Sequence, residues 1–157
     1  MLVVGGGGFF NETIPFIKQL STQVDVSLLV SKDLTKELVA SIGINQVSYI
    51  APVTLRSRGR MGNILVVFIA FIDAFKSLCK YNPTVVICVG SSLAIPVFFV
   101  SKILIKKTIF IESITRVDCL STTAEILLKL KICDRLYVQW VELEYLSKKI
   151  LYKGGLL

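Results

Sequence analysis

Histidine is absent from the 157 residues, which removes imidazole acid–base catalysis, a Ser-His-Asp triad and most zinc sites. No GK[ST] follows the glycine run, so a P-loop is excluded. The four cysteines, Cys79, Cys88, Cys119 and Cys133, show no CxxC spacing. They fall on apolar segments and are expected as reduced, buried thiols. Long hydrophobic runs are missing too. The longest, Ile64 to Ile72, is nine residues before Asp73 interrupts it, against about twenty needed to span a bilayer. Leu93 to Val100 is shorter and contains Pro96. Met1 leads directly into an apolar strand and a glycine loop, so no signal peptide is expected. The expectation is a cytoplasmic chain, at most peripheral to a membrane, with no metal and no cofactor.

What is present is apolar and basic. The chain is 54% hydrophobic, has a mean hydropathy of +0.71, and carries 18 Lys and Arg against 11 Asp and Glu for a net charge of +7. Excess apolar and cationic surface together suggest an anionic membrane surface as partner. The basic residues are scattered without aromatic interleaving, which argues against nucleic acid. The length predicts one domain, residues 1–157, with a substantial core.

Gly5, Gly6, Gly7 and Gly8 close the apolar run Leu2-Val3-Val4 and open the segment Phe9-Phe10-Asn11-Glu12. A backbone without Cβ turns sharply and approaches a ligand closely. The helix N-terminus that follows offers unpaired N–H groups to a phosphate or a sugar oxygen. A tight strand-to-helix turn without a ligand is the plainer alternative. The loop departs from the dinucleotide fingerprint: Phe10 takes the third glycine position. The second apolar run ends Leu29-Val30-Ser31, with no acidic residue in place to hold a ribose.

Short Val/Ile/Leu runs alternate with helical patterns. Strands are expected at 2–4, 24–30, 46–50, 84–89, 107–111 and 135–138, with a final extended piece at 150–153. Helices are expected after the glycine loop and at 32–41, 63–80, 92–105, 120–132 and 140–148. This alternation predicts an α/β fold, a Rossmann-like doubly wound parallel sheet. Ligands in such sheets bind at the carboxyl ends of the strands. That rim would carry Gly5–Gly8, Gly90-Ser91-Ser92 and Glu112–Arg116. Glu112 could accept a proton from a sugar hydroxyl; Arg116 could hold phosphate or simply pair with Glu112. The 63–80 helix is apolar all round at its start, as a helix is when fully buried or in contact with lipid. Arg56, Arg58 and Arg60 precede it as a solvated loop or a phosphate-binding patch. Trp140 could stack on a sugar or anchor the core or a subunit interface.

Several segments resemble one family. GGGGFFNE is similar to the GSGGHTxE motif, IFIESITRVDCLS to VESxARVxSLS, CDRLYVQWVEL to ADxxxVQWxEL, and LYKGGLL to the closing YxGxL. These belong to the asparagine-linked glycosylation protein fourteen family and its bacterial PssD/CpsF-type polysaccharide-biosynthesis relatives. The resemblance implies the N-terminal, acceptor half of a split, MurG-like GT-B glycosyltransferase. It implies binding of a polyprenyl-diphosphate-linked sugar at the cytoplasmic membrane surface, with a separate donor-binding subunit carrying the UDP-sugar. Matched by position, Gly7 and Gly8 are the paired glycines, Glu12 the acidic residue after them, and Glu112, Ser113 and Arg116 the ESxxR segment. Gln139 and Trp140 are the QW pair, and Tyr152 and Gly154 fall in the closing motif; these four are expected at the partner interface. Glu112 and Glu12 would carry catalysis, and Gly5–Gly8, Ser91, Ser92, Ser113 and Arg116 would hold the acceptor. One departure matters: Phe9 stands where the family has histidine.

Overall fold

The computed structural model describes residues 1–53 and 60–156, with side chains throughout except at 60–63. Strands β1 (Leu2–Val4), β2 (Leu28–Ser31), β3 (Val47–Ile50), β4 (Val85–Val89), β5 (Lys107–Ile111), β6 (Arg135–Val138) and β7 (Ile150–Tyr152) form one sheet. All pairings are parallel, in the order β3-β2-β1-β4-β5-β6-β7. Helices α1 (Gly8–Ser21), α2 (Lys36–Ala40), α3 (Arg60–Tyr81), α4 (Ala94–Ile103) and α5 (Thr122–Lys129) supply the crossovers. A 3-10 segment, Val141–Leu146, joins β6 to β7. Strand order reverses between β1 and β4, the point where such sheets open a crevice for ligands.

Burial on both faces explains the apolar strands. Side chains alternate across a strand, so Leu2, Val4, Leu28 and Val30 pack with Phe10, Ile17 and Val39 from α1 and α2. Val3, Leu29, Cys88 and Phe110 pack on the other side with Ala70, Leu78, Phe98 and Leu127 from α3, α4 and α5. Both faces are covered along β1 and β2 and over most of β4 and β5, which is why those strands read as largely apolar Val/Ile/Leu runs.

Most of the sequence-based boundaries shift by one to four residues; the fourth and fifth helices, for example, are shorter than expected at both ends, Ala94–Ile103 and Thr122–Lys129. The second strand starts at Leu28 rather than Val24, because the amides of Gln23 and Val24 still bond back to the Leu20 carbonyl at 3.0 and 3.1 Å. Helix α2 starts at Lys36, where Thr35 caps it by accepting from the Leu38 amide. Helix α3 begins at Arg60, before the expected Asn63. The segment after Trp140 is a tighter 3-10 helix. The expectation of four buried thiols also needs correction: Cys88 is buried and Cys133 partly so, but Cys79 and Cys119 are exposed.

Candidate functional site: a hydroxyl-lined pocket at the strand ends

Three loops meet at the carboxyl rim, and glycine is what lets them meet. Gly7 has φ +66° and forms the N-cap of α1, without any side-chain cap. A Cβ on Gly5 would lie 2.6 Å from the Ser91 hydroxyl oxygen. At Gly90, φ is +60° and a Cβ would lie 2.6 Å from the Phe9 ring and 3.2 Å from Ser113 Cβ. The β1, β4 and β5 loops therefore touch through missing side chains.

The β5 loop is held from every side. Glu112 is 1% exposed. Its Oε1 accepts from the Ser113 amide at 3.0 Å and its Oε2 from the Ser121 amide at 2.8 Å. Burial pushes this carboxyl above the ordinary carboxylate range, against the opposing pull of the Ser121 and Ser113 hydrogen bonds and the Arg116 charge. Glu12 reaches across from α1: it accepts from the Ser113 hydroxyl at 2.7 Å and the Ile114 amide at 3.3 Å. From the end of β6, Gln139 Nε2 donates to the Glu112 carbonyl at 2.9 Å, and Trp140 Nε1 donates to the Ile114 carbonyl at 2.7 Å. Ser121 caps α5 by accepting from the Ala124 amide at 3.2 Å.

These contacts frame a pocket of about 230 Å³ lined by Phe9, Gly90, Ser92, Glu112, Ser113, Thr115, Arg116 and the α5 start Ser121–Thr123. Its walls are hydroxyls, one aromatic ring, the Glu112 carboxyl and one guanidinium. Among the described residues, Arg116 forms no ion pair, with Glu112 or any other carboxylate. A free guanidinium beside a helix N-terminus suits a phosphate or diphosphate.

Of the expected site residues, Glu112, Ser113, Arg116 and Ser92 line the pocket, with Glu12 directly behind it. Gly5–Gly8 shape the neighbouring turn, and Ser91 is buried against Gly5. Gln139 is buried and Trp140 half-buried, both bonded to the β5 loop. Tyr152 ends β7, its amide bonded to Glu144 at 3.2 Å, and Gly154 is exposed with φ +97°. Arg56 and Arg58 lie outside the described residues, as does the Arg60 side chain.

Sequence reasoning missed Thr115, Thr122 and Thr123, although the Ser121-Thr122-Thr123 run after the ESxxR segment was the available signal. It also missed Asp33. The carboxylate of this residue, two positions past β2, lies 2.5 Å from where a Gly6 Cβ would stand. An acidic group does therefore reach the glycine loop, from beyond the strand end.

A second surface sits on α3. Ile64, Leu65 and Phe68 are 71%, 67% and 64% exposed, and Ile69, Ile72 and Phe75 continue the apolar face. Phe99 and Ile103 of α4 extend it, with Phe71 and Phe99 in edge-to-face contact at 5.5 Å. No helix among the described residues is long and apolar enough to cross a membrane.

Comparison with known proteins agrees with this architecture. MurG from Acinetobacter baumannii superposes on 99% of the chain with a TM-score of 0.71 at 16% identity. The UDP-GlcNAc 2-epimerase of Methanocaldococcus jannaschii superposes on 98% with a TM-score of 0.69 at 17% identity. The chain spans less than half of either, 43% and 45% respectively. The fold is thus the Rossmann-like N-terminal domain of GT-B proteins. In sequence, the chain is 25% identical over 175 residues to the UDP-N-acetylglucosamine transferase subunit ALG14 of Yarrowia lipolytica, covering 98% of this chain and 79% of that one. The family described as "Oligosaccharide biosynthesis protein Alg14 like" matches residues 1–156, and the chain belongs to it.

Proposed function

We propose that this chain is the acceptor-binding subunit of a two-chain glycosyltransferase. It holds a polyprenyl-diphosphate-linked sugar in the rim pocket and rests on the cytoplasmic face of the membrane through α3. Through its C-terminal stretch, including Tyr152 and Gly154, it recruits a separate subunit that binds a UDP-sugar, UDP-N-acetylglucosamine by analogy with the name of the relative. Surface or capsular polysaccharide is the product class.

The observation that carries this reading is the pocket, where the unpaired Arg116 and the start of α5 face a row of hydroxyls. Arg116 would bind the diphosphate in a forked geometry, and Ser92, Thr115 and Thr122 would take the remaining oxygens. The Phe9 ring offers an apolar wall to a sugar face. Glu112, with its carboxyl pushed up by burial, would accept the proton of the acceptor hydroxyl. The relative from Yarrowia lipolytica is named as a transferase subunit, which supports a second chain as the donor half.

A second reading, a non-catalytic tether for the partner, is favoured by two observations. Phe9 cannot act as an acid or base, and both Glu112 oxygens already accept hydrogen bonds. Transfer by the reconstituted pair separates the two. Glu112→Gln should lower transfer roughly 10²–10⁴-fold if Glu112 is the base, and leave it nearly unchanged if the chain only tethers. Robust transfer by the isolated chain from UDP-N-acetylglucosamine to a polyprenyl-diphosphate sugar would overturn the two-chain reading.

A further inference from the structure

Among the described residues, Gln139 is the one side chain hydrogen-bonded to both the β5 loop and the C-terminal segment. Its amide is 7% exposed and both of its polar atoms are used. Nε2 donates to the Glu112 carbonyl at 2.9 Å, and Oε1 accepts from the Leu156 amide at 2.9 Å. Trp140 repeats the tie one residue on, through the Ile114 carbonyl at 2.7 Å. Beyond this point the loop continues Ser113-Ile114-Thr115-Arg116, the stretch that lines the pocket. A buried amide with both ends satisfied has no low-cost alternative arrangement, because releasing either end leaves an unpaired polar group. Displacement of Leu156 is therefore felt at Glu112.

We propose that Gln139 is a positioning residue that couples the C-terminal segment to the pocket, so that a partner subunit engaging residues 153–156 sets the geometry of the Glu112–Arg116 loop. The coupling rests on the reading of the chain as a partner-recruiting subunit. The latch itself is a property of this chain alone. An enzyme built this way holds its acceptor tightly only when the donor subunit is present, which limits unproductive occupancy of the acceptor site.

The test uses two variants that cut the latch at different ends. Leu156→Pro removes the amide that donates to Gln139 and touches nothing in the pocket. Gln139→Met keeps the side-chain length and removes both bonds. Hydrogen exchange is read at the amides of Ser113, Ile114 and Arg116, each hydrogen-bonded in the loop. In the isolated chain, exchange there should rise about fivefold or more in both variants, while amides in β1 and β4 stay protected and report an intact fold. In the wild type, addition of the partner should slow exchange in the loop, and in Leu156→Pro it should not. In the transfer assay with saturating partner, both variants should raise KM for the polyprenyl-diphosphate acceptor about fivefold or more, with kcat changed far less. Loop exchange unchanged by Leu156→Pro in a folded chain overturns the latch. Loop exchange in the wild type that ignores the partner overturns the coupling. A wild-type pair that transfers no sugar would count against the proposed function and leave the exchange result to decide the latch.

Discussion

The apolar face of α3 makes a quantitative prediction that separates membrane binding from folding. Ile64, Leu65 and Phe68 are 71%, 67% and 64% exposed, so about two-thirds of each side chain is available to lipid. Full burial of such a side chain is worth roughly 1.5–3 kcal/mol, which leaves about 1–2 kcal/mol for each and about 3–6 kcal/mol for the three together. The triple variant Ile64→Ser/Leu65→Ser/Phe68→Ser should therefore weaken partitioning onto phosphatidylglycerol-containing vesicles by roughly 10²–10⁴-fold. Fold stability should change little, because exposed substitutions usually fall within about 0.5 kcal/mol each. Co-sedimentation at a series of lipid concentrations measures the first quantity and a thermal melt the second. The residual binding should be more salt-sensitive than that of the parent, since only the charge component remains to be screened. Tyr145, 80% exposed on the 3-10 segment, is the control, and Tyr145→Ser should bind as the parent does. A triple variant that is folded and partitions like the parent would refute lipid contact through α3.

Two further outcomes follow from the rim. Gly90→Ala combines a left-handed φ of +60° with a Cβ placed 2.6 Å from the Phe9 ring, and should cost about 2–4 kcal/mol in urea unfolding. Adding Phe9→Ala should recover only the steric part, and a cost below about 0.5 kcal/mol would show that the loops do not meet as described. Glu112 gives a pH dependence: its folded carboxyl titrates above the ordinary value, so as pH rises the unfolded chain loses this proton first. Wild-type stability should fall, relative to Glu112→Gln, from about pH 4 up to the raised folded value and level off above it. Melting curves of the two proteins that run parallel over pH 4–8 would contradict this.

Much of the fold was legible because it depends on local pattern. A doubly wound sheet buries both faces of each strand, so β1, β4 and β5 had to be written as Leu2-Val3-Val4, Val85–Val89 and Lys107–Ile111, and such runs can be read without coordinates. The glycine run and the ESxxR and QW segments likewise carried the family and the rim of the site. Glu112, Ser113 and Arg116 could be put on the rim because they follow directly after a strand, and the structure has them lining the pocket. The resemblance put Gln139 and Trp140 at a partner interface, and Trp140 also read by itself as an aromatic for the core or an interface; in the structure both bond to the β5 loop, and Gln139 also accepts from the Leu156 amide.

What the chain could not reveal by itself were relations between distant residues. Glu12 meets Ser113 across a separation of 101 positions, and Asp33 reaches Gly6 only because the β2 loop folds back over the glycine turn. The sequence determined the elements, their order and the composition of the rim, since these arise from periodicity and steric allowance within a few residues. Tertiary structure alone decided which face of α3 stayed uncovered, which glycines touch side chains from other loops, and how Gln139 joins Leu156 to Glu112. Those depend on which surfaces the sheet brings together, and burial removes the water that would otherwise satisfy each polar group independently.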